Sequence, residues 1–218
     1  MKPILFSTPM VQAVLAGRKT QTRRLIKEAA GWDSNWKVSP IDEEHLDGVQ
    51  RYEMRCGTQY SLPWFKSKYQ PGDILYVRET WQVVRYAPPG SSQLQDLYVF
   101  KADTTDVGDY EITKWKPSLF MPKAAARIFL QVTDVRAERL QDITEENAIA
   151  EGVESFLEHN GRLYRDYSID PEDNEGHNYF RNQIHSFKSL WDSINKKTSP
   201  WENNDWVWVY SFEKIQKP

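Results

Sequence analysis

The chain has 218 residues, 39% hydrophobic and 27% charged, with a formal charge of −3, the profile of a soluble globular protein with sizeable loops. An acidic balance excludes a general nucleic-acid coat, whose affinity comes from neutralising many phosphates, and leaves room only for a focused basic groove. The single cysteine, Cys56, excludes an intrachain disulfide, and His45, His159, His177 and His185 lack HExxH or HxH spacing, so no metal and no cofactor are expected. Without a signal-peptide core or a long apolar run, a cytoplasmic protein with no membrane contact is expected.

Ile4 to Phe6 reads as a short buried strand. Thr8 then offers an N-cap with Pro9 at the first helical position, and Val11, Val14 and Leu15 form one apolar face before Gly17 ends the helix. The basic stretch Gly17-Arg18-Lys19-Thr20-Gln21-Thr22-Arg23-Arg24 follows and runs into a strand at 22–26. The first 27 residues hold six basic side chains and no acidic one. Charge concentrated against the overall balance points to a local task, most simply holding an anionic or electron-rich ligand.

Residues 29–70 are irregular and too poor in apolar residues for a core of their own, and read as an insertion. Pro71-Gly72-Asp73 marks a turn before a strand over 74–81, in which Leu75, Val77, Glu79 and Trp81 share a face. A polar loop at 86–95 and a strand at 98–100 come next, then a long strand over 127–136 with one slip in phase before Val135. Thr144 caps a helix that Gly152 stops, with Ile143 stapling to Ala148 and Glu151 in the last turn. A second polar insertion spans 154–177. Phe180, Ile184, Phe187, Trp191 and Ile194 predict a core-facing helix over 178–195, and Trp206 to Phe212 a closing aromatic strand. Strands and helices that do not alternate regularly predict an α+β fold, a small β-barrel or strongly curved sheet with about three packed helices.

Three places carry chemistry. In an extended segment Thr20, Thr22 and Arg24 share one face, and a hydroxyl beside Lys19 is a potential nucleophile–base pair; a solvated basic helix end explains the same residues equally well. Glu151 opposes the dipole at a helix C-terminus and therefore calls for a cationic partner, most naturally from the first motif. Glu79 on an apolar face is either a satisfied core pair with Arg78, Arg127 or Arg136, or a functional carboxylate. Residues 115–122, Trp-Lys-Pro-Ser-Leu-Phe-Met-Pro, read as a tight loop over a cleft.

Assembled in order, Gly17-Arg18-Lys19-Thr20-x-Thr22-x-Arg24, Gly72-Asp73-x-Leu75-x-Val77, Leu140-x-x-Ile143-Thr144 leading to Glu151, and the strand Trp206 to Phe212 resemble the ASCH superfamily. That resemblance implies one PUA-like domain over 1–218, a curved β-barrel carrying the two long insertions. The Val-Arg-Glu-Thr-Trp and Trp-x-Pro-Ser segments are similar to those of longer phage- and prophage-associated members. Those members continue with His-Met-Pro-Arg-Trp-Ala, where this chain has Phe120 for the His and Lys123-Ala124 for Arg-Trp.

One small bacterial branch removes the acetyl group from N4-acetylcytidine, and its catalytic Lys, Thr and Glu correspond to Lys19, Thr22 and Glu151. By that resemblance the chain is expected to be a metal-independent amidohydrolase of an N4-acylated cytidine or similar modified nucleoside. Arg18, Thr20, Arg24, Glu79 and Trp81 are the expected substrate-binding residues, with Trp206 and Trp208 as further stacking candidates. Lys19 is either a neutral base for Thr22, or a cation that steadies the oxyanion while Glu151 acts as base. The alternatives are a non-catalytic RNA- or modified-base-binding module, or a ribonuclease gripping a phosphate with Lys19 and Arg24.

Overall fold

In chain order the elements are β1 (Lys2–Leu5), α1 (Thr8–Leu15), β2 (Gln21–Leu25), β3 (Trp36–Pro40), β4 (Tyr52–Cys56), β5 (Tyr60–Ser61), β6 (Ile74–Arg78), β7 (Trp81–Tyr86) and β8 (Gln95–Phe100). The second half adds β9 (Phe129–Arg139), α2 (Glu145–Ala150), β10 (Ser155–Glu158), β11 (Gly161–Arg165), β12 (Tyr179–Phe180), α3 (Gln183–Asn195) and β13 (Trp206–Ile215). They are taken from a computed structural model that describes residues 1–29, 36–41, 49–56, 60–61, 66–90, 92–103, 112, 114–169 and 179–218. The architecture is α+β, with three α-helices among the described residues. None of those helices is long and apolar enough to cross a membrane.

The principal sheet has the order β1-β6-β9-β13-β2, with β1 parallel to β6 and the remaining pairs antiparallel. Its ends do not pair among the described residues, so the barrel that the resemblance implies is not closed there, and the other expected form, a curved sheet, describes it. It curls far enough that the Arg24 guanidinium on the β2 edge donates from Nη2 to the Leu5 carbonyl on the β1 edge, at 2.8 Å. The closing strand β13 is buried on both faces: Trp208, Tyr210 and Phe212 enter one core, Val207 and Val209 the other. Period-2 alternation on a two-sided strand requires this continuous apolar run. α1 links the two edges across the first core, to which Val11 and Val14 belong. α2 and α3 pack on the second, through Ala148, Phe187, Leu190 and Trp191.

Several boundaries differ from the sequence reading. The N-cap of α1 is Ser7, not Thr8. The strand expected over 74–81 breaks at Glu79 into β6 and β7, because Trp81 leaves the principal sheet to pair with Phe100 in a separate ribbon. The phase slip near Val135 is a β-bulge: Ser211 faces Asp134 while Phe212 faces Val132, leaving Thr133 as the extra residue. Phe180 lies in β12 rather than in α3, whose N-cap Asn182 accepts from the Ile184 and His185 amides, and Ile194 is half exposed. Thr144 does cap α2, accepting from the Asn147 amide.

The described parts of both insertions include antiparallel sheet as well as loops. Val38, Tyr52, Met54 and Tyr69 from the first join the main core, which explains why that segment is too apolar-poor for a core of its own. In the second, β10 and β11 pair with β12, which lies just beyond it, in a small antiparallel sheet that buries Tyr164 against α3. The rest of both insertions, with His45 and His177, lies outside the described residues.

Candidate functional site

Two neighbouring cavities share the β2 edge. The larger, of about 600 Å³, opens in the seam between β1 and β2. Among the described residues, Arg24, Lys27, Lys66, Lys68 and Arg78 line it against one acidic residue, Glu28. Its apolar wall includes Tyr69, Trp208 and Tyr210. Trp208 and Tyr210 stand opposite Arg24 and Thr22 in the β13–β2 register, so the alternation of both strands directs aromatic and basic side chains into the seam together. Tyr69 is fixed by its hydroxyl, which donates to the Pro3 carbonyl at 2.6 Å, and by an edge-on contact with Tyr210 at 5.0 Å. Burial pushes both phenols up to about 12.

The smaller cavity, about 50 Å³, follows the outer side of β2. Thr22, Arg24 and Glu151 line it together with Met10 of α1 and Phe187 and Leu190 of α3. That volume holds water but not a nucleoside ring.

A buried charge ladder borders the smaller cavity, where Arg23 and Glu151 line the wall. Lys19, whose side chain is fully buried, donates from Nζ to Glu151 Oε2 and to the Glu151 carbonyl, both at 2.8 Å. Its ammonium also sits 5.6 Å from the centre of the Phe6 ring. The other Glu151 oxygen accepts from Arg23 Nη1 at 3.1 Å, and Arg23 Nη2 pairs with Glu138. Glu138 is held by Arg136 Nε at 3.1 Å, and Arg136 in turn by Asp134, again at 3.1 Å. Positive and negative groups therefore alternate from Lys19 to the surface. Burial lowers the Lys19 pKa, with Arg24 and Arg23 adding to the effect, while Glu151 opposes it. Burial likewise lowers Arg24, opposed by Glu151.

The sequence-predicted residues fall into two groups. Lys19, Thr22, Arg24 and Glu151 come together around the Glu151 carboxylate and the smaller cavity. Arg18 supports them by donating to the Gly152 carbonyl at 3.0 Å, and Thr20 by its backbone, which joins Ala150 to Phe212. Glu79 and Trp81 lie elsewhere. Glu79 accepts two bonds of 2.9 Å from Arg127, the core pair that was one of its two readings, and burial raises its pKa against the pull of Arg127. Trp81 belongs to a third core with Phe100, Met121 and Phe129. His185 lies in the first turn of α3 and meets the Phe180 ring edge-on at 5.9 Å.

Residues the sequence reading missed are Lys66, Lys68 and Tyr69, hidden in a segment read as an insertion, and Arg23, the centre of the ladder. The close pair Lys66 and Lys68 just before the Pro71-Gly72 turn was the available signal.

The structure is thus an α+β fold whose open, curled sheet carries a cationic, aromatic-walled seam with a buried charge ladder beside it. The chain matches no protein-family model, no curated protein and no solved structure.

Proposed function

We propose that this protein is an ASCH-type, PUA-like module that binds RNA or a modified base in the seam cleft. One observation carries the reading: among the described residues, the cleft of about 600 Å³ gathers five basic side chains and one acidic one in a chain whose formal charge is −3. A field of one sign between low-dielectric walls concentrates an anionic ligand. The aromatic wall adds faces on which a base can rest. The order of the ASCH-like motifs supports the same reading.

The test is fluorescence anisotropy of a labelled oligoribonucleotide over a range of salt. Wild type should bind with a steep salt dependence, and Lys66→Glu with Lys68→Glu should weaken binding and flatten the slope by about one per lost phosphate contact. Wild-type affinity that ignores both salt and charge reversal would sink the idea. Shortening of the oligonucleotide during the assay would turn it toward a ribonuclease.

A second reading, amide hydrolysis of an N4-acylated cytidine, draws on the meeting of Thr22, Arg24 and Glu151 at one cavity and on burial lowering the Lys19 pKa. In the arrangement described, Lys19 meets two oxygens of Glu151 and a ring face, which suits a cation more than a free base. Nucleoside entry also requires the Phe187 and Leu190 side of the cavity to move aside. Chromatography of N4-acetylcytidine after incubation with wild type and with Thr22→Val decides this reading. Cytidine formed by wild type alone supports it, and no conversion rejects it.

A further inference from the structure

We propose that Phe120 stacks an unpaired base of a single-stranded nucleic acid while the neighbouring cleft holds the flanking phosphates. This rests on the binding reading above and specifies its substrate class.

Leu119 and Phe120 stand side by side with 56% and 67% of their surface exposed. An isolated exposed leucine carries little information, but an adjacent phenylalanine turned to water on a well-held loop does. Pro117 and Pro122 flank the loop, and the Phe120 and Met121 amides donate to the Pro117 and Ser118 carbonyls at 3.1 Å each. Arg78 clasps it from below, donating from Nε to the Met121 carbonyl at 2.9 Å and from Nη2 to that of Leu119. Met121 is buried in the third core, and Lys116 forms a bridge with Trp81. The apolar pair is therefore mounted in place before any ligand arrives, which reduces the ordering cost of binding.

Charge identifies the occupant. Residues 114–133 contain Lys114, Lys116, Lys123 and Arg127 and no acidic residue. Arg127 is committed to Glu79 and Asp103, whereas the three lysines are exposed. Leu119 itself lines the cleft that holds Lys66 and Lys68. A ring presented among cations matches a polyanion whose flat faces are accessible, which describes a single strand and not a duplex. Lys116 has its ammonium 4.9 Å from the Trp81 ring, and two adjacent apolar residues in a stretch with three exposed lysines form too small a patch for a hydrophobic protein partner.

The experiment compares a labelled single-stranded oligouridine with a duplex of the same length, using wild type, Phe120→Ala, Phe120→Trp and the Lys66→Glu/Lys68→Glu variant. Loss of one stacked base should weaken single-strand binding of Phe120→Ala by about tenfold or more, with the salt slope unchanged and duplex binding hardly altered. Phe120→Trp should bind at least as well as wild type, with its indole emission quenched by the stacked base. Because Phe120 is exposed, these variants should melt as wild type does, which circular dichroism verifies. Undiminished binding by Phe120→Ala, with binding abolished by the lysine reversals, would overturn the stacking proposal and leave the cleft reading intact. Failure of wild type to bind either nucleic acid would overturn both.

Discussion

Lys19 and Glu151, 132 positions apart, meet twice: the lysine ammonium holds both the carboxylate and the backbone carbonyl of the same glutamate. The double contact fastens the C-terminus of α2 to the segment entering β2, and it answers the unfavourable placement of a carboxylate at a negative dipole end. Glu151 is also the shared acceptor of Lys19 and Arg23. Glu151→Ala removes the countercharge from two buried cations and should cost about 3–5 kcal/mol. Lys19→Met should cost less, since Glu151 retains Arg23, and the double variant less than the sum of the two. Urea unfolding of the four proteins checks this, and strict additivity would mean that the pair is not coupled.

Gly152 shows how tightly that junction is built. Its φ is +89°, and an added Cβ would lie 2.8 Å from Lys19 Cβ and 2.9 Å from Ala13 Cβ. Gly152→Ala therefore combines left-handed strain with overpacking and should lose about 2–4 kcal/mol. Gly17, at φ +71° with nothing within 4 Å of an added Cβ, supplies the control. Gly17→Ala should lose only about 1 kcal/mol. Equal shifts in the two denaturation midpoints would contradict the steric account.

The Lys19–Glu151 partnership was legible in the sequence because a glutamate ending a helix lacks local support, and a cation-rich segment was at hand. The long strand, its slip at Thr133 and the Thr144 cap were legible for the same reason: each is a local pattern with a local cause. The cleft was not. Lys66, Lys68 and Tyr69 join it through the pairing of β1 with β6 and the curl of the sheet, which no window of sequence contains. Closure was also undecided between a small barrel and a strongly curved sheet, since alternation fixes which face a residue occupies but says nothing of whether the first and last strands meet. Glu79, polar on an apolar face, left a core pair and a functional carboxylate both open, and Arg127, 48 positions away, supplies the pair.

Alkaline pH should expose the cleft wall. An unfolded tyrosine ionises near 10, whereas Tyr69 and Tyr210 hold their protons until about 12. Between those values the unfolded chain binds fewer protons than the folded one, so stability falls as pH rises. The contribution is fully present below about pH 10 and gone above about pH 12. Lys19, lowered by burial, acts with the opposite sign as pH approaches the ordinary lysine value. Tyr69→Phe should show a shallower alkaline decline than wild type, at the cost of about 1 kcal/mol at neutral pH for the lost bond to Pro3. An unchanged decline would mean that Tyr69 ionises normally in the folded protein.

Arg24 is the residue on which the seam and the ligand both depend. It spans the two sheet edges through the Leu5 carbonyl, shares the Phe6 ring with Lys19 at 5.8 Å, and lines both cavities. Arg24→Ala should therefore destabilise the fold by about 1.5–3 kcal/mol, the range for a charge-assisted hydrogen bond, and speed amide exchange in β1. It should also flatten the salt dependence of oligonucleotide binding by about one. Arg24→Lys separates the two roles. A lysine keeps the charge but cannot present the planar fork that spans the edges while facing the cleft. Its salt slope should match wild type while β1 exchange stays fast. Restoration of both by lysine would make Arg24 a simple cation, with the seam held by packing alone.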